Sequence, residues 1–170
     1  MRDVATQSLN ADTAHRLTRA RTLAAEAGID ALLLSPGPDL RYLTGYEAKP
    51  LERLTCLVLP VEGDPVLVVP ALERPAALAS PAGSLGLEIL PWQETEDPYA
   101  LVAKFVPARA GGARSRIALD NHMWAEKVLA LRATLPDAEQ VLAGEVLSVR
   151  TLPSLIPRRV PDTRGRCRRC

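Results

Sequence analysis

Apolar residues recur along the chain with the two spacings that distinguish helices from strands. From Thr13 onward they lie three or four positions apart on one face, which predicts an amphipathic helix. Gly28 follows that face at the position where a helix C-cap belongs, so we expect the helix to end there. The apolar face comprises Leu17, Ala20, Ala24 and Ala27.

The rest of the chain alternates short apolar runs with helical segments. A continuous apolar run over 29–35, bounded by glycine and proline, is typical of a strand buried on both faces. Two further runs, 54–60 and 65–70, are joined by a connection that contains Gly63-Asp64, which predicts a β-hairpin. The later predicted elements are a short helix over 71–80, a strand over 87–92, a helix over 98–106 with Asp97 as its N-cap, a strand over 116–120, a helix capped by Asn121 with the apolar face Trp124, Val128, Leu131 and Leu135, and a strand over 139–143.

This order of elements predicts an α/β fold, with one antiparallel hairpin in a mixed β-sheet flanked by helices. We expect three parts: a flexible N-terminus over 1–12, a folded domain over 13–150, and a C-terminal segment over 151–170. The last segment is rich in arginine and proline and has no hydrophobic periodicity. Two interpretations of it stay open, a disordered basic tail and a translation product read out of frame.

Composition narrows the class of protein. The chain of 170 residues carries a formal net charge of +1 and is 47% apolar but only 4% aromatic, so its core has to come from aliphatic side chains. Because there is no basic excess, we expect no nucleic-acid partner, and the apolar runs are too short to span a membrane. The N-terminus lacks the apolar stretch of a secretory signal, which favours a cytoplasmic protein.

The residues that most often carry chemistry are few and scattered. Cys56 lies inside an apolar run, and we expect it to be a buried side chain rather than a nucleophile. Cys167 and Cys170 form a Cys-x-x-Cys pair, but a metal site would require a second pair of ligands. Asp120 and His122 supply two potential metal ligands at a strand-to-helix junction, without an obvious third.

The most informative segment joins the strand over 29–35 to an aromatic-flanked turn, PDLRYLTGY. It places polar and aromatic residues after the C-terminal end of a buried strand, the end at which α/β sheets tend to hold binding sites. A purely structural interpretation is also open. In that case Tyr42 and Tyr46 are packing residues, and Gly45 satisfies a special backbone angle.

The segment GIDALLLSPGPDLRYLTGY resembles the signature of the N-terminal domain shared by prolidases, aminopeptidases P and creatinases, the Xaa-Pro metallopeptidase family. Asp39 stands where that signature usually has asparagine. The resemblance continues, in order and spacing, over roughly 16–150. The later matching segments are TCLVLPVEGDPVLVVPALE, ILPWQETEDPYALV and RIALDNHMWAEKVLALRATLP.

The resemblance implies a ribonuclease-H-like mixed sheet that precedes a separate catalytic domain. In the family, catalysis uses two divalent metals, usually manganese or cobalt, held by Asp, His and Glu ligands of that second domain. We therefore expect no metal, no cofactor and no catalytic residue in this chain. The N-terminal domain of the family can mediate dimerisation and close part of a neighbouring active site. By that analogy Arg41, Tyr42 and Trp92 are candidates to contact substrate or partner, while Asp39, Gly45 and Tyr46 form the structural motif.

Three hypotheses follow. The first is a non-catalytic N-terminal domain of an Xaa-Pro dipeptidase or aminopeptidase, a homodimer or docked to a catalytic domain, which meets Xaa-Pro peptides only in the full-length context. The second is a stand-alone ligand-binding or regulatory module that reuses the fold. The third is a small enzyme with its own site at Asp120 and His122.

Overall fold

The structure is a computed structural model that describes the backbone over 2–109 and 113–147, with side chains within those ranges from residue 11 onward. The elements follow the predicted order, except that the segment predicted as a turn after the first strand contains a helix, and a short helix follows the last strand. The elements are α1 Arg2–Glu26, β1 Ala31–Leu34, α2 Pro38–Thr44, β2 Cys56–Pro60, β3 Val66–Pro70, α3 Arg74–Ala79, a 3-10 turn Pro81–Ser84, β4 Glu88–Trp92, α4 Pro98–Ala103, β5 Arg116–Leu119, α5 Ala125–Thr134, β6 Glu139–Leu142 and α6 Gly144–Leu147.

The strands form a six-stranded mixed sheet in the order β4-β3-β2-β1-β5-β6. The predicted hairpin is confirmed as the antiparallel pair β2 and β3, and β2 is also antiparallel to β1. The pairs β1–β5, β3–β4 and β5–β6 are parallel. All strands except β2 therefore end at the same edge of the sheet, which we call the carboxyl edge, and β2 begins there.

Strand residues alternate between two apolar cores, one on each face of the sheet. The first core packs beneath α1, α2, α3 and α6, and includes Leu32, Leu57 and Leu67 of the central strands. The second packs beneath α4 and α5, and includes Leu33 and Val58. Both faces of β1, β2 and β3 are buried, which explains why these strands appear in the sequence as continuous apolar runs.

The first helix is longer than predicted, because it begins at Arg2 and not at Thr13. The prediction of a loose segment over 1–12 depended on the absence of an apolar face there. However, the segment contains no glycine or proline, so no residue in it prevents the helix from extending upstream of Thr13. The C-terminal end agrees with the prediction, since Gly28 has φ 68 and its amide donates to Ala25 O.

The start of α5 also differs from the prediction. Its N-cap is Trp124, without a side-chain capping bond, and Asn121 instead accepts a hydrogen bond from the Gly144 amide at 2.7 Å. Trp124, which was predicted to lie on the buried face of the helix, is 44% exposed, and Lys127 is buried instead. The N-cap thus lies three residues after the predicted one, but Val128, Leu131 and Leu135 still pack against the second core, as the apolar pattern predicts.

The remaining differences are small. The helix predicted over 98–106 ends at Ala103, although its predicted cap is confirmed, because Asp97 Oδ1 accepts from the amides of Tyr99 and Ala100. The predicted break at 111–112 and the predicted tail over 151–170 lie outside the described residues. In the described part of the chain, no helix is both long and apolar enough to cross a membrane.

Candidate functional site

The carboxyl edge brings together polar residues that follow two adjacent strands. Asp120, directly after β5, is 3% exposed. Its Oδ2 accepts from the Ser35 amide at 3.1 Å and from the Ser35 hydroxyl at 2.9 Å, so it ties the end of β1 to the end of β5. Its Oδ1 accepts from the His122 amide at 2.8 Å. The carboxylate is thus saturated by donors, which is how a buried acid is stabilised.

The grouping of Ser35, Asp120 and His122 does not have the geometry of nucleophilic catalysis. The serine hydroxyl donates to the carboxylate and not to the imidazole, whose Nδ1 lies 3.5 Å from the other carboxylate oxygen. A nucleophilic serine requires a base that accepts its proton. Here the acid lies between the other two groups, so the arrangement serves to hold the strand ends together.

Asp39, in the first turn of α2, adds a second carboxyl group nearby. Burial, and then the charge of Asp120, raise the pKa of Asp39, while His122 acts in the opposite direction. Within the described residues there is no group of three His, Cys, Asp or Glu side chains that could hold a metal ion. The pair Asp120 and His122 therefore gains no third ligand from this part of the chain.

A groove of about 560 Å³ lies beside this cluster, between the middle of α1, the start of α2 and the loop that follows α2. Arg16 spans it from α1: its guanidinium lies 4.6 Å from the ring centroid of Tyr42 and donates to the Tyr42 carbonyl at 3.2 Å. Arg41 pairs with Glu47 at 3.1 Å, and both side chains are largely exposed. The lining residues are Arg16, Pro36, Gly37, Pro38, Arg41, Tyr42, Glu47, Ala48 and Pro50.

Of the three residues predicted to contact substrate or partner, the structure brings two together. Arg41 and Tyr42 both line the groove. Trp92 lies in the core on the opposite face of the sheet, 7% exposed, and its Nε1 donates to the Leu54 carbonyl at 2.8 Å. Trp92 therefore belongs to the packing of β4 against the start of β2.

The structural motif is placed as the packing interpretation predicts. Gly45 has φ 68 and caps α2, with its amide donating to Arg41 O. Tyr46 is 6% exposed in the first core, and burial raises its pKa. Cys56 is fully buried in β2, and burial raises the pKa of its thiol to about 12, so it remains protonated near neutral pH.

Sequence reasoning missed Lys127. This side chain is 2% exposed, and its Nζ donates to the carbonyls of Leu51 and Arg53 at 2.6 and 3.3 Å. A signal was present: Lys127 lies three residues after Trp124 and four before Leu131, so helical periodicity places it on the apolar face. A lysine at such a position is expected to be buried only with partners.

Exposed apolar side chains are concentrated at the carboxyl edge. Leu72 lies two residues beyond the end of β3 and is 76% exposed, and Leu142 is the last residue of β6. Exposed apolar surface gathered on one side of a domain marks an interaction surface. The exposed large apolar residues at this edge are Tyr42, Leu51, Leu72, Trp124 and Leu142.

The fold is thus a three-layer α/β domain whose candidate site, a groove with flanking apolar residues, lies at the carboxyl edge of the sheet. A family model described as the creatinase/prolidase N-terminal domain matches residues 16–151. The chain belongs to this family, which confirms the resemblance carried by the segment after β1.

Individual relatives agree with this assignment. The probable dipeptidase PepE of Mycobacterium bovis is 42% identical over 134 residues, which are 79% of this chain and 34% of the relative. The crystal structure of dipeptidase PepE from Mycobacterium ulcerans superposes with a TM-score of 0.76 at 39% identity, covering 86% of this chain and 38% of that one. The chain thus spans about a third of the length of these relatives.

A solved structure of an isolated domain shows the same fold. The creatinase/prolidase N-terminal domain of an X-Pro dipeptidase from Streptococcus pyogenes superposes with a TM-score of 0.60 at 22% identity, covering 74% of this chain and 97% of that one.

Proposed function

We propose that this chain is the non-catalytic N-terminal domain of an Xaa-Pro dipeptidase, and that its carboxyl edge docks onto a catalytic domain and helps to shape the peptidase active site. The observation that carries this proposal is the set of exposed apolar side chains along one edge of the sheet, the edge at which the groove also lies. It is supported by relatives described as dipeptidases, of which the chain covers about a third.

The path of the chain supports docking at this edge. β6 ends there and α6 follows it directly, so the polypeptide leaves the sheet beside the exposed Leu142. The matched domain of the Streptococcus pyogenes protein is described as N-terminal, so in such a protein the next domain would follow α6 at the same edge. An apolar surface next to that exit suits contact with a second domain or with a partner subunit.

The groove supports a role in shaping a peptide site. The Arg41 side chain is 64% exposed and is paired with an exposed glutamate, so it can exchange that partner for a peptide carboxylate. Tyr42 offers a half-exposed ring at the same place. Metal chemistry belongs, in this proposal, to two divalent ions in the catalytic domain, and the isolated chain hydrolyses no peptide.

The test of docking is a chimera in which residues 16–147 replace the matching part of the Mycobacterium bovis relative. Leu72→Ser removes an exposed leucine at the carboxyl edge, and Leu129→Ser removes one that is 64% exposed on the outer side of α5. We expect Leu72→Ser to lower Mn²⁺-dependent hydrolysis of Ala-Pro by about tenfold, with Leu129→Ser unchanged. Equal activity of the two variants would contradict docking at this edge.

The contribution of the groove is measured in the same chimera. Arg41→Ala and Tyr42→Ala are expected to lower kcat/KM for Ala-Pro by about tenfold or more, whereas Lys104→Met, an exposed change at the end of α4, leaves it unchanged. Wild-type kinetics in both groove variants would show that neither residue contributes to the active site. Hydrolysis by the isolated chain with added Mn²⁺ or Co²⁺ would overturn the non-catalytic assignment.

A further inference from the structure

The loop between α2 and β2 is held largely by side chains of other elements. Within it, the Leu51 amide donates to Lys49 O at 3.0 Å. From outside, Trp92 Nε1 in β4 donates to Leu54 O, and Lys127 in α5 donates to two further carbonyls. A loop with few backbone hydrogen bonds of its own opens readily unless such donors hold it.

Of these two donors, Lys127 carries a charge, and its side chain is buried. Its ammonium contacts the carbonyls of Leu51 and Arg53 and lies 4.9 Å from the ring centroid of Trp124. Carbonyl oxygens and an aromatic face both attract a cation, and together they offset the loss of hydration. Burial lowers the pKa of Lys127, while neighbouring acids such as Glu126 and Glu52 oppose the shift.

The carbonyls held by Lys127 are next to one wall of the groove. Pro50 precedes Leu51 in the chain, and Pro50, Ala48 and Glu47 line the groove together with Arg16 and Tyr42. Movement of Leu51 therefore moves the groove wall. By contrast, Lys127 does not itself line the groove, so it acts on it only through the loop.

We propose that Lys127 is a positioning residue: its ammonium fixes the loop over 47–54 through the carbonyls of Leu51 and Arg53, and so sets the width of the groove. The importance of the groove rests on the proposed function. Fixation of the loop does not, because it is a property of this chain alone and can be measured without substrate, metal or catalytic domain.

The experiment is hydrogen–deuterium exchange on the isolated chain. Lys127→Met keeps the length of the stem and removes the donors, Lys127→Arg keeps a cation that can reach two carbonyls, and Lys104→Met is the control at an exposed lysine. We expect the Leu51 amide, whose hydrogen bond to Lys49 O depends on the loop conformation, to exchange about tenfold faster or more in Lys127→Met, with the central strands unchanged. Lys127→Arg and Lys104→Met should exchange within about threefold of the wild type.

Two outcomes overturn the inference. One is unchanged exchange of the Leu51 amide in folded Lys127→Met. The other is faster exchange across the whole sheet to the same degree as in the loop, which would make Lys127 a general stabiliser. If Lys127→Met does not fold, Lys127→Gln, whose side chain is one atom shorter and carries no charge, is judged by the same two criteria. If the groove variants leave the activity of the chimera unchanged, the exchange result still stands. The two proposals can therefore fail separately.

Discussion

Gly45→Ala tests how tightly the turn after α2 is packed. Gly45 has φ 68, and a methyl group on its Cα would lie 2.8 Å from Pro81 Cβ and 2.9 Å from Pro81 Cγ. The substitution therefore introduces two penalties, a left-handed backbone conformation and a collision with a rigid ring in the 3-10 turn. Gly28 separates them, because it also has φ 68 but no atom lies within 4 Å of its added methyl group.

The magnitudes follow from these contacts. Placing alanine in the left-handed region costs about 1–2 kcal/mol, which is the whole penalty expected for Gly28→Ala. Forcing a methyl group into a packed position adds about 1–3 kcal/mol, so Gly45→Ala should lower the free energy of unfolding by roughly 2–5 kcal/mol. Since domains of this size have only about 5–15 kcal/mol of stability, the larger value leaves a marginal fold.

Urea unfolding followed by circular dichroism measures both variants, with the midpoint compared at constant slope. Pro81→Gly in the Gly45→Ala background should recover the collision penalty, of about 1–3 kcal/mol, in a double-mutant cycle. Equal destabilisation by Gly28→Ala and Gly45→Ala, or no recovery with Pro81→Gly, would refute the argument that Pro81 sets the requirement for glycine.

Three further predictions concern single side chains. Asp39→Asn should stabilise the domain by about 0.5 kcal/mol at pH 7.5, allowing for solvent screening. Because burial raises the pKa of Asp39 in the folded state, this gain should fade as the pH drops through that pKa toward the ordinary aspartate pKa of 3.8. A gain that grows on acidification would contradict the prediction. Cys56 should stay unlabelled by iodoacetamide at pH 8 in the folded chain and react only in denaturant, as peptide mapping would show; labelling at the rate of free cysteine would contradict its burial. Trp92→Phe should lower the free energy of unfolding by about 1–3 kcal/mol, because it leaves the Leu54 carbonyl without this donor, and should not change kcat/KM of the chimera; the reverse pattern would return Trp92 to the binding site.

The sequence predicted the part of the fold that depends on local pattern. Strands buried on both faces appear as continuous apolar runs, and the hairpin, the Gly28 cap and the Asp97 cap have recognisable local signals. The helix that Gly45 caps was not predicted, because the prolines and glycines of its segment indicated a turn. The segment after β1 also carried the family resemblance. The start of α1 was missed, since a polar helix segment without an apolar face has no periodic signal.

The site could be predicted only in part. Arg41 and Tyr42 were named by analogy with the family, and both line the groove, where their contact with substrate or partner stays a prediction. Trp92 lies away from the groove, in the core on the other face of the sheet. The sequence alone does not tell which helices cover the face on which a residue at the end of a strand lies. Lys127 was missed because its partners are carbonyls of a loop 76 and 74 residues away.

By itself, the sequence determined the aliphatic core and most of the element order, because hydrophobic spacing and turn residues act over a few neighbouring positions. The family was indicated by resemblance to a known signature. Only the tertiary structure decided that β2 also pairs antiparallel with β1, that Asp120 joins the ends of two strands, and that Lys127 contacts the loop beside the groove. These features depend on contacts between residues far apart in the chain. Such contacts form only when the sheet brings the residues together, so no local pattern records them.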